Sequence, residues 1–116
     1  MKAAAVSVSL RVAATEAERD AAVDAWLQSV ATLRRAVLVE GALFDRAGPQ
    51  GVPLVGLAAG CPCCTGAVAL RVALARTLRR TRPQAVLLLL TSAEHLPRLR
   101  RTLDGGELGV RFEVQA

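Results

Sequence analysis

The chain is poor in aromatic residues and in lysine, and it has no long apolar run. Its only aromatic side chains are Trp26, Phe44 and Phe112, so a core must be built from Val, Leu and Ala. Lys2 is the sole lysine, so the net charge of +5 rests on arginine, and without aromatic platforms it does not indicate a nucleic-acid partner. No stretch approaches the roughly 20 apolar residues of a membrane span, and Arg11 interrupts the N-terminal apolar stretch too early for a signal peptide. We therefore expect a cytoplasmic protein without a membrane or nucleic-acid partner.

Cysteine is also scarce, and all three copies lie within four positions, as Cys61, Cys63 and Cys64. No other cysteine is present to form a disulfide framework with them, which fits a reducing cytoplasm. With 116 residues, of which 53% are hydrophobic, the chain can bury a core without disulfide or metal cross-links. We expect one domain over residues 1–116.

Strand and helix patterns alternate along the chain. Strands are predicted at 4–12, 36–39, 54–58, 85–90 and 110–114. The run at 85–90 is continuously apolar and predicts a central strand, whereas the alternating first and last strands are expected nearer the edges.

Capping residues mark the helices between these strands. Thr15 and Glu18 form a capping box that begins a helix reaching about residue 33. Thr65 can cap a helix to about residue 82, and Thr91 or Ser92 opens a last helix through residue 101. This order predicts a single three-layer α/β domain with a mostly parallel sheet.

Candidate ligands follow the strand ends. Glu40, the cysteine segment and the turn from Thr91 to His95 all come directly after predicted strands. In a parallel sheet the carboxyl ends of the strands share one edge, so these residues are expected to converge there.

The cysteine segment has the chemistry of a metal site. Cys61 and Cys64 have the C-x-x-C spacing that lets two sulfurs bind one ion, and Cys63 lies between them. The helix that follows favours thiolates at its amino end. Three thiolates leave a fourth tetrahedral position on Zn²⁺, for which Glu40, Asp45, His95 or water are candidates. Copper(I) is an alternative, since it needs only two or three sulfurs.

The stretch 54–64, an apolar strand followed by Gly60-Cys-Pro-Cys-Cys64, resembles the G-C-x-C-C signature of the CobW-type metal-chaperone GTPases. The strand at 36–40 resembles the family strand that ends in a glutamate, with Glu40 on that glutamate and Asp45 near a second carboxylate. The resemblance implies a P-loop-GTPase-like fold and a metal-delivery role with zinc, or else copper(I) or cobalt. It also implies Cys61, Cys63, Cys64 and Glu40 as metal ligands.

The sequence departs from that family at the nucleotide site. Residues 10–15, where the family has its P-loop, contain neither glycine nor lysine, and residues 89–93 carry no carboxylate to hold Mg²⁺. We therefore expect a degenerate, shortened relative that does not hydrolyse GTP.

Two alternatives remain open. A strand, Cys61-Pro-Cys-Cys64 and a helix are also the local layout of a thiol–disulfide redox site. A degenerate domain of this kind can also be a non-catalytic module that forms a homodimer or docks on a full-length relative. On the metal hypothesis, the partners are the ion and a metalloprotein client.

Overall fold

The computed structural model describes residues 5–30, 34–41, 45–57, 67–104 and 112–115. Within these residues the strands are β1 Val6–Val12, β2 Arg35–Glu40, β3 Arg46–Ala47, β4 Pro53–Leu57, β5 Ala85–Leu90 and β6 Phe112–Gln115. The α-helices are α1 Glu16–Ser29, α2 Ala67–Thr81 and α3 Leu96–Asp104. Short 3₁₀ turns lie at Pro49–Gly51 and Ala93–His95.

The six strands form one sheet in the order β3-β4-β2-β5-β1-β6. All neighbouring pairs are parallel except β3 with β4. Every residue of β5 is buried, as its continuous apolar sequence predicts for a strand covered on both faces. The predicted α/β class with a mostly parallel sheet is therefore confirmed.

Each face of the sheet carries its own apolar cluster. On one face, α2 and α3 contribute Leu70, Leu74, Leu99 and Leu103. On the other face, α1 contributes Val23, Trp26 and Leu27. Successive side chains of a strand point to opposite faces, so β5 supplies both clusters and joins three layers into one core.

The alternating strands β1 and β6 are the last two strands in the sheet order, but only β6 is an edge strand. β1 pairs with β5 on one side and with β6 on the other. Its inward residues Val6, Val8 and Leu10 are buried, while Arg11 and Val12 at its end are exposed. An alternating sequence therefore indicates a strand with one polar face. It does not by itself indicate an edge strand, since β1 alternates and has neighbours on both sides.

The first helix ends four residues before the predicted position. The Val30 N–H still bonds to the Trp26 carbonyl at 3.0 Å, but Val30 itself has extended backbone angles. Arg35 on β2 donates from Nη1 to the Leu27 and Val30 carbonyls at 3.2 and 2.9 Å. These bonds satisfy carbonyl groups that a longer helix would have paired internally. None of the helices in the described ranges is long and apolar enough to cross a membrane.

Candidate metal centre

The carboxyl ends of β2, β4 and β5 meet at one edge of the sheet because the three strands are parallel and adjacent. Glu40, the last residue of β2, is in register with Leu57, the last residue of β4. The Gly41 N–H bonds to the Leu57 carbonyl at 2.9 Å, which ties the two strand ends together. Glu40 therefore lies directly beside the point where the chain leaves β4 toward the cysteines.

Glu40 also links the ends of β2 and β5. Its Oε1 atom accepts a bond from the Thr91 backbone N–H at 2.9 Å and one from the Thr91 hydroxyl at 2.6 Å. Both bonds that Glu40 accepts from described residues go to this one oxygen. The carboxylate is thus held in place through Oε1, and Oε2 makes no bond to a described residue.

The face of the sheet on which Glu40 lies follows from strand alternation. Leu38, two residues earlier, and Leu57, its register partner, both belong to the cluster under α2 and α3. The end of α2 at Thr81 is only a few residues from the start of β5, at the opposite edge of the sheet. With a rise of about 1.5 Å per residue, its 15 residues span about 22 Å, so α2 begins near the edge where Glu40 lies.

The predicted ligands Cys61, Cys63 and Cys64 lie outside the described residues. The described elements on either side nevertheless limit where these residues can be. Cys61 follows Leu57 by four residues, at most about 14 Å of extended chain, and Cys64 precedes Ala67 by three residues, at most about 11 Å. Both Leu57 and the start of α2 lie at the edge that carries Glu40.

The turn after β5 brings a further candidate to the same edge. The Ser92 hydroxyl accepts from the Glu94 N–H at 3.2 Å and starts the 3₁₀ turn that contains His95. The helix predicted to open at Thr91 or Ser92 therefore begins as this turn and becomes α-helical at Leu96. The backbone of His95 is placed near the edge, and its side chain lies outside the described part of the structure.

Asp45 directly precedes β3, so β4 lies between it and Glu40 on β2. Its Oδ1 accepts from the Gly56 N–H at 2.9 Å, and its Oδ2 is 3.9 Å from Nη2 of Arg76 on α2. The side chains of both ion-pair members are about half exposed. The two residues of β3 pair with Pro53 and Leu54 of β4, and the Asp45 side chain accepts from the next free N–H of β4, that of Gly56. The loop sequence did not predict this structural role.

The turn between β1 and α1 is short. Three residues separate Val12 from Glu16, and the N–H of Ala13 is bonded to the Leu90 carbonyl at 2.8 Å. The Thr15 hydroxyl accepts from the Glu18 N–H at 3.1 Å, which confirms Thr15 as the cap of α1. The amino end of α1 therefore presents Glu16 and Glu18, two negative charges, at the position where a P-loop binds phosphate.

Sequence reasoning placed Glu40 at the site edge but missed Thr91 as its partner. The signal was present, since a hydroxyl residue directly follows the most apolar strand of the chain. Among the described residues, no group of three His, Cys, Asp or Glu side chains is placed to hold a metal ion. The thiolate cluster thus stays a prediction from the sequence.

Comparison with known proteins adds no assignment: no protein-family model, curated protein or solved structure matches the chain.

Proposed function

We propose that this chain binds a transition metal as cargo, with zinc as the first choice, and delivers it to a metalloprotein in the cytoplasm. Cys61, Cys63 and Cys64 supply three thiolates, and Glu40 supplies a carboxylate oxygen. These donor types are the ones that zinc takes in proteins, and four of them complete a tetrahedral site. Copper(I) and cobalt are the alternatives for the same sulfurs.

The observation that carries the proposal is the position of Glu40. It lies at the carboxyl edge of the sheet, in register with Leu57 and on the face covered by α2. The cysteines fall between Leu57 and the start of α2, within chain reach of that edge. Glu40 is held through Oε1 alone by described residues, which leaves its second oxygen for a ligand.

The turn after β1 supports a role without GTP hydrolysis. Three residues are too few to wrap a phosphate chain as an eight-residue P-loop does, and no glycine is among them. The acidic residues in the first turn of α1 repel phosphate further. The resemblance to the CobW-type family therefore concerns its metal chemistry.

The test is elemental analysis of protein purified under reducing, chelator-free conditions, together with a count of reactive thiols. We expect one zinc per chain and three thiols that react only after chelator is added. Replacing all three cysteines by serine should abolish metal retention, whereas a matched Ser92→Ala change, on the neighbouring turn, should leave it unchanged.

Two other outcomes would redirect the assignment. Protein without metal, in which Cys61 and Cys64 readily form a disulfide of defined potential, would indicate a redox site and would overturn the metal proposal. One metal per two chains would indicate a site shared in a homodimer, and so an interaction module with a bridging ion.

A further inference from the structure

A cleft of about 350 Å³ lies on the outer side of the sheet, between the second half of α2 and the edge formed by β3 and β4. Arg46 on β3 and Arg76 and Arg80 on α2 line this cleft. Asp45 is the one acidic residue of its lining, so the two arginines of α2 face one negative charge. Arg46 is in register with Leu54, which packs on the α1 side of the sheet, so its side chain lies on the other face. Glu40 is not part of the lining, so the inference drawn from the cleft does not rest on the proposed metal site.

The positive charges of the cleft are poorly compensated. Arg76 is paired with Asp45 at 3.9 Å, and exposed pairs of this kind bind weakly. In the described part of the chain, Arg80 has no carboxylate within ion-pair distance. Arg76 and Arg80 are four residues apart on one helix, where like charges repel each other. A bound anion would relieve this repulsion.

The rest of the lining combines an apolar surface with hydroxyl groups. Ala47 and Pro53 provide the apolar part. The Thr77 hydroxyl donates to the Ala73 carbonyl at 2.8 Å, whereas the Thr81 hydroxyl has no such bond to a described residue. A volume of about 350 Å³ is at the lower end of the range for small-molecule sites, about 300 to 1,000 Å³.

We propose that this cleft binds a small phosphate monoester. Guanidinium groups pair with phosphate oxygens in a bidentate manner. Arg76, whose exposed ion pair is weak, and Arg80, one turn further along α2, together suit a group that carries two negative charges. The Thr81 hydroxyl adds a donor for the same phosphate, while the organic part lies against Ala47 and Pro53. The charge of the cleft selects the phosphate, and its apolar wall selects an ester over free phosphate.

The experiment is calorimetric titration at low ionic strength with two probes, phenyl phosphate and inorganic phosphate. We expect the unmodified protein to bind phenyl phosphate several-fold more tightly. The double variant Arg76→Gln/Arg80→Gln should bind it about 100-fold more weakly, roughly tenfold for each charge-assisted contact. The control is Arg79→Gln/Arg101→Gln, which removes the same charge from exposed positions outside the cleft and should stay within about threefold of the unmodified protein.

A third variant reverses the direction of the effect. Asp45→Asn removes the one negative charge of the cleft and keeps the oxygen that accepts from Gly56, so phenyl phosphate should bind more tightly. Partial unfolding cannot produce a gain in affinity. No binding at millimolar phenyl phosphate, equal losses in the two double variants, weaker binding by Asp45→Asn, or equal affinity for the two probes would each overturn the proposal.

Discussion

Replacing Glu40 separates its two roles, as a bonding partner of Thr91 and as a metal ligand. Glu40→Gln keeps an oxygen that can accept both bonds from Thr91 but replaces a carboxylate by an amide, which is a poor zinc ligand. Glu40→Ala removes both functions. Thr91→Val removes only the hydroxyl bond at 2.6 Å and leaves the carboxylate in place.

The expected magnitudes follow from the bonds. A hydrogen bond to a charged group contributes about 1.5–3 kcal/mol, and the exposure of these two bonds lowers that to about 1 kcal/mol each. Glu40→Ala should therefore lower the free energy of unfolding by about 2 kcal/mol, and Thr91→Val and Glu40→Gln by about 1 kcal/mol or less. Mutation of outer-shell partners typically weakens metal binding about 10- to 100-fold, and loss of a direct ligand should cost at least as much. We therefore expect both Glu40 variants to bind zinc at least about tenfold more weakly.

Two assays measure these effects. Urea denaturation of the metal-free protein can be followed by the fluorescence of Trp26, which is the only tryptophan and is 4% exposed in the core. Zinc affinity is measured by competition with a chromophoric chelator. If Glu40→Gln binds zinc as tightly as the unmodified protein, Glu40 is not a ligand and serves only to hold the Thr91 turn.

Three further predictions concern the fold. Arg35→Met should lower the free energy of unfolding by about 1–3 kcal/mol, because the carbonyls at the end of α1 lose a charged donor. In the same urea titration, Arg34→Met at the neighbouring exposed position should change it by less than about 0.5 kcal/mol. Leu74→Ala should lower the free energy of unfolding by about 2–5 kcal/mol, since the Leu74 side chain is 1% exposed. Val72 lies on the same helix and is 55% exposed, so Val72→Ala should change it little. Equal effects would contradict the described core. Metal removal should leave the circular dichroism spectrum and cooperative unfolding intact, because both apolar clusters are built from the strands and helices. Loss of helix on chelation would show that the metal is structural.

Features that depend on local sequence were predictable. The apolar run of β5 gave its position to the residue, and Thr15 with Glu18 marked the start of α1. In both cases the determining residues are neighbours in the chain, so their pattern carries the structure.

Features that depend on distant residues were not predictable. α1 ends early where Arg35, eight residues from Leu27, reaches its carbonyl. The bond from Thr91 to Glu40 joins residues 51 positions apart and requires β2 and β5 to be neighbours, an order that the sequence pattern does not contain. β3 has only two residues, both exposed, which is too short for any alternation to show.

The sheet order also favours one of the two carboxylates that the sequence offered as ligands. β4 lies between β2, which carries Glu40, and β3, which follows Asp45, so the two residues are about two strand spacings, or roughly 10 Å, apart. Asp45 already accepts from the Gly56 N–H and lies toward Arg76, and turning it toward the cysteines would give up both contacts. Glu40 can bind a metal through Oε2 while Oε1 keeps its bonds to Thr91. On the metal proposal, Glu40 on β2 is therefore the better-placed carboxylate, and Asp45 belongs to the cleft on the other side of β4.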